Sequence, residues 1–167
     1  MVPAHLVVLG VGLGIAVVSD VSRAPARLAD AISLGLAAAA LALRFTHFGV
    51  GDLDSGLLSG LVGALLAAVL FSGFAFRQRG LEWVDVKLLA AAGAGLGYPL
   101  VLPAALFISL SGAVLAIVFS IWKGSLSATL QRIVTVADKS QKPRIPYSVA
   151  IAVGSAWAVW WDTVSGS

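Results

Sequence analysis

Residues 86–119 read VKLLAAAGAGLGYPLVLPAALFISLSGAVLAIVF and carry one charged side chain, Lys87. A helix that crosses hydrocarbon needs about 20 apolar residues, so this run is too long for one crossing. It is interrupted by Gly95, Gly97, Pro99 and Pro103, and glycine and proline break the helical ladder. The stretch therefore predicts two helices, 86–102 and 103–122, joined by a tight uncharged turn. Composition says what surrounds them. Of the 167 residues 59% are hydrophobic and 11% charged, against roughly 25% charged in an ordinary soluble domain. With a mean hydropathy of +0.99, the apolar side chains exceed what one small core can hide, so hydrocarbon has to solvate much of the surface.

Working outward, further apolar runs cover 2–18, 28–48, 56–76 and 146–161. The first has no basic segment before it and ends at Ser19-Asp20, which reads as a retained helix and not as a cleaved signal. The last opens on Pro146, acceptable in a helix's first turn, and ends in Trp157, Trp160 and Trp161, the residues of an interfacial belt. The expectation is an all-α, polytopic membrane protein of one domain with six transmembrane helices and no room for a separate soluble domain. Alternate connections must then share a side of the bilayer. Those after the first, third and fifth spans hold ten of the eleven Lys and Arg residues, and Arg44 alone lies opposite. The positive-inside rule puts these three connections in the cytoplasm and both termini outside it. The net charge of +3 thus reflects topology and does not point to nucleic acid. The longest connection, 123–145, repeats Leu126, Leu130, Ile133 and Ala137 at helical spacing among basic residues; a helix lying on anionic lipid headgroups and a solvated loop both fit it.

The chain has no cysteine, which excludes disulfides, thiol catalysis and cysteine metal sites. It has eight acidic residues, and any carboxylate near hydrocarbon calls for an explanation. Asp20 ends the first span and Asp85 opens the fourth, both on the cytoplasmic side of the expected topology. Two carboxylates close together do not readily ionise together, so one serves as acid while its ionised partner draws a proton from a water between them. That is the requirement for aspartic proteolysis. In the simpler reading both mark helix ends and pair with Arg23 and Lys87.

Two segments carry a family resemblance. Asp85-Val86-Lys87-Leu88-Leu89-Ala90-Ala91-Ala92-Gly93-Ala94-Gly95-Leu96-Gly97 resembles the GxGD-x-K-LLAA-x-GA-x-LG signature of bacterial prepilin peptidases. Residues Ile145 to Gly154 resemble the final-helix PYG-x-AIA-x-G pattern of the short branch of that family, which serves tight-adherence (Flp) pili. With the six-span plan and the aspartate closing the first span, the resemblance covers nearly the whole chain. It implies a cofactor-free aspartic endopeptidase of the bacterial inner membrane that removes the basic leader of prepilins at the cytoplasmic face, with Asp20 and Asp85 as its catalytic pair. Its partners would be the prepilin, membrane lipid and components of a pilus or secretion assembly. Larger members of the family add a cysteine-containing domain and methylate the new amino terminus; this chain lacks the cysteines, and methylation is not expected.

The departures from the pattern cluster at the site. Glu82 and Val84 stand where the motif has its two glycines, which permit close backbone approach, and Val21 to Arg27 retains only a displaced Pro25 of the usual Ile-Pro-Asn. A divergent active enzyme and a catalytically inactive paralogue serving a pilus or secretion assembly both accommodate these changes. Glu82, Val84 and Lys87 are candidate substrate-binding residues: Glu82 for a basic leader residue, Val84 against an extended chain, and Lys87 toward Asp20 or a lipid phosphate. Glu82 pairing with Arg79 or Lys87 is the plainer role.

Other features point less sharply. Gly10-Val11-Gly12-Leu13-Gly14 has glycine spacing like a nucleotide-binding loop but lies inside an apolar span, without the strand-turn-helix context that motif needs; helix packing accounts for it. Gly56, Gly60 and Gly63 have the spacing that lets helices approach closely. His5 and His47 lack a third metal ligand, Asp52 and Asp54 suit a solvated turn, and Asp30 is explained by the first turn of its helix. A small proton-coupled transporter using Asp20 and Asp85 is a further alternative, against which stands the lack of any charge at a span midplane.

Overall fold

The computed structural model describes residues 4–22, 25–76, 83–122 and 147–165. These form six α-helices: α1 (Ala4–Val21), α2 (Ala26–Phe48), α3 (Gly56–Phe76), α4 (Trp83–Leu96), α5 (Val101–Trp122) and α6 (Tyr147–Ser165). Four of them, α1, α2, α3 and α5, are long and apolar enough to cross a membrane. Large apolar side chains also face outward along the bundle, among them Val11, Leu34, Leu65, Leu106 and Ile117. Such a surface suits hydrocarbon on both sides of each helix wall.

α4 is the hub. It packs against α1, α2, α3 and α6, and every residue from Ala91 to Leu96 is buried. Alanine and glycine make this possible, because small residues let backbones approach where lipid supplies no hydrophobic drive between helices. A Cβ on Gly63 of α3 would run into the Gly93 carbonyl oxygen and sit 2.9 Å from the Gly97 Cα. Gly60 likewise lies against Arg44, Leu41 and the Ala94 carbonyl, so the expected close packing holds at Gly60 and Gly63. Because the neighbours of Gly93 include the backbone of Gly63, Gly93→Val forces α3 and α4 apart. We expect it to lower stability by about 1–3 kcal/mol, read from thermal unfolding in detergent.

The break between α4 and α5 was expected, but α4 ends at Leu96, six residues before the expected 102. Gly97 takes φ +73°, a left-handed conformation that only glycine adopts freely, and its N–H closes the helix on the Gly93 carbonyl at 2.8 Å. At 14 residues α4 is about 21 Å long. Its last residues are buried in the bundle, so its last carbonyls need donors inside the protein. Arg44 of α2 supplies them. Its guanidinium donates to the carbonyls of Leu96 (2.6 Å) and Gly95 (3.1 and 3.4 Å), and also meets Ser59 Oγ at 3.2 Å. Ser59 in turn donates to the Tyr98 carbonyl at 2.8 Å. Arg44 is only 5% exposed, and the negative end of the α4 dipole faces its charge.

The glycines of α1 behave differently from expectation. Only Gly12 is closely approached, by Leu36 of α2, whereas Gly10 and Gly14 have open space around them. The tryptophans of α6, Trp157, Trp160 and Trp161, are all exposed, and Trp157 also stacks on Phe107 of α5, with ring centroids 5.3 Å apart and planes 9° from parallel. Residues 123–145, expected as a surface helix or loop, lie outside the described residues.

Candidate functional site

The candidate site is built at one end of the bundle by three helix termini. α1 brings Asp20 in its last turn, α4 brings Asp85 in its first, and α6 begins with Tyr147 and Ser148. α6 packs against both α1 and α4. Asp85 and Asp20 are each half-buried.

The helix dipoles treat the two acids unequally. Asp85 stands in the first turn of its helix, where the dipole favours a negative charge. Asp20 stands at the carboxyl end of α1, where the dipole opposes one, so its placement needs support from another element. Ser148 provides it, donating its hydroxyl to Asp20 Oδ2 at 2.7 Å. Ser148 is 2% exposed, so the donor is withheld from water, while Asp20 is half-buried. The neighbouring residue turns to the other acid: Tyr147 lies within electrostatic range of the Asp85 carboxylate. Its ring is accommodated by Gly112 of α5, where a Cβ would come within 2.9 Å of Cε2 and 3.0 Å of the phenol oxygen. Two consecutive residues at the start of α6 thus address both aspartates.

Lys87 turns toward α2 and not toward Asp20. Its ammonium pairs with Asp30 Oδ1 of α2 at 2.7 Å, with side chains 55% and 41% exposed. A helix turns by 100° per residue, so Lys87, two positions after Asp85, leaves on another side of α4. Asp30, which lies beyond the first turn of α2, is thereby tied to a cation. Val84 is half-buried in the first turn of α4; Glu82, Arg23 and Arg79 lie outside the described residues. Among the described residues no three metal-ligating side chains gather.

An open groove of about 590 Å³ runs along α1 and α2, and Asp20 is not among the residues that line it. Gly14, Ile15, Val18, Leu28 and Ile32 make it apolar, and Ser19 and Ser22 line it as well.

The chain matches no family model, no curated protein and no solved structure. The functional reading therefore rests on the residues and their arrangement.

Sequence reasoning found Asp20 and Asp85 but not Ser148 as a site residue. The signal was present, since Ser148 occupies the glycine position of the PYG-like pattern, where a hydroxyl at a helix start invites a partner. That the partner would be a residue of α1 depends on how the helices pack.

Proposed function

We propose that the protein is a membrane-embedded aspartic endopeptidase that removes the basic leader of Flp-type prepilins at the cytoplasmic face of the bacterial inner membrane. The observation that carries this reading is the start of α6, where Ser148 holds Asp20 by a hydrogen bond and Tyr147 is within electrostatic range of Asp85. It supports a common site for two carboxylates that come from helices far apart in the chain. In this reading the chain crosses the bilayer six times with both termini outside the cytoplasm, and α4 is the short central crossing. The ten basic residues clustered on alternate connections support that orientation.

The chemistry follows from the pair. An ionised carboxylate takes a proton from water as the oxygen attacks the scissile carbonyl carbon, and the protonated partner gives its proton to the carbonyl oxygen. A neutral tetrahedral diol results. As the C–N bond breaks, the first carboxyl returns its proton to the leaving nitrogen and the second recovers one from the diol. Water is consumed and the pair ends as it began. The apolar groove along α1 and α2 suits the apolar helix that follows a prepilin leader.

Val84 supports a second reading. A β-branched residue directly before Asp85, half-buried where the resembling motif has glycine, fits a catalytically inactive paralogue that binds pilins within a pilus or secretion assembly. Co-expression with Flp-type prepilins separates the two, with amino-terminal mass analysis of the pilin as readout. The peptidase reading expects the leader to be removed by the native chain. Prepilins left intact by it, yet cleaved by a related peptidase, would favour the inactive paralogue.

A further inference from the structure

We propose that Ser148 is a positioning residue that holds the Asp20 carboxylate in the orientation the reaction uses. The proposal rests on the peptidase reading and adds to it a residue that orients one member of the pair.

The geometry runs from the helix start to the carboxylate. A serine in the first turn of a helix ordinarily uses its hydroxyl on nearby backbone. Ser148 instead reaches across to α1 and donates to Asp20 Oδ2 at 2.7 Å. The bond is short and its donor is buried, with Ser148 2% exposed. An aspartate has two side-chain torsions, and holding one oxygen restrains both. Oδ1 is left without a hydrogen-bond partner among the described residues.

The two oxygens of Asp20 are then chemically distinct. Oδ2 is engaged by the Ser148 hydroxyl, while Oδ1 keeps its lone pairs for a water. A carboxylate held in one orientation presents that oxygen to the water in a fixed direction, which is what a proton transfer requires. In the resembling pattern the Ser148 position is glycine, which has no hydroxyl to give, so this tie is a property of this chain.

The test uses the full chain purified in detergent, with a Flp-type prepilin as substrate, and compares the native protein with Ser148→Ala and Ser148→Thr. Alanine removes the hydroxyl and fits the space. We expect it to lower kcat about tenfold or more with KM changed less than about twofold. Threonine keeps the donor and should recover most of the loss. Infrared spectroscopy supplies a readout independent of cleavage: the carboxylate band removed by Asp20→Asn should shift in Ser148→Ala and return in Ser148→Thr. If the native chain cleaves and Ser148→Ala is equally fast, the positioning role is overturned while the peptidase stands. An Asp20 band that Ser148→Ala leaves unmoved overturns the tie itself. If the native chain cleaves no prepilin that a related peptidase cleaves, the peptidase reading fails, and the catalytic role of Ser148 falls with it even where the band shifts.

Discussion

On the proposed peptidase reading, Asp20→Asn and Asp85→Asn should each reduce leader cleavage by about 10³-fold or more, while helix content stays at the native level. Asparagine preserves shape but neither takes a proton from water nor gives one, so either change should stop the proposed cycle. The two losses should not add if the carboxylates act as one unit. The double variant should therefore be about as inactive as either single one, measured by mass analysis of the pilin amino terminus. Stability separates this outcome from misfolding. Asn at position 20 still accepts the Ser148 hydrogen bond through its amide oxygen, and half-exposed sites tolerate the change. A variant that loses cleavage together with its thermal transition would instead place the residue among the structural ones.

The second large effect falls at the opposite end of α4. Arg44→Met should destabilise the protein by about 3–5 kcal/mol, read from unfolding in detergent. The substitution preserves an apolar stem and removes every donor. The carbonyls of Gly95 and Leu96, now met by Arg44, would be left without those bonds in a water-poor interior. Arg44→Lys should lie between, since an ammonium has the charge but lacks the planar fork that spans adjacent carbonyls. The consequence extends to the site. α4 is held at its carboxyl end by Arg44 and carries Asp85 in its first turn, so a slipped α4 displaces the carboxylate. Arg44→Met should reduce cleavage even in molecules that remain helical.

These two results bear on different levels of the fold, and the sequence disclosed them unequally. The long helices were readable because hydrocarbon demands uninterrupted apolar runs: the expected 56–76 coincides with α3, and the expected 28–48 differs from α2 by two residues at its start. The break near Gly97 was readable from glycine and proline. Its position was less so, because α4 stops where Gly97 turns left-handed and Arg44 takes over the carbonyls, and that donor comes from 51 residues away. Arg44 itself read only as the lone cation opposite the others.

At the site, hydropathy marked Asp20 and Asp85 as carboxylates at helix ends. It carried no information on which cation meets which acid. Lys87 is near Asp85 in sequence and yet pairs with Asp30, 57 residues earlier. Likewise the Ser148–Asp20 bond spans 128 residues. Such contacts arise from the packing of α6 on α1 and of α4 on α2, which apolar periodicity specifies poorly when helices are apolar on nearly every side.

The central claim is that Asp20 and Asp85 share one site, and the absence of cysteine from the chain allows it to be tested without background. Asp20→Cys with Asp85→Cys is treated in detergent with a short bis-maleimide, alongside Asp30→Cys with Lys87→Cys as a control for a pair in direct contact. Cross-linked peptides are then identified by mass spectrometry after digestion. Efficient intramolecular linkage of positions 20 and 85, comparable to the control and lost on unfolding, is the result expected here. Linkage of the control alone would contradict a shared carboxylate site and with it the aspartic peptidase reading.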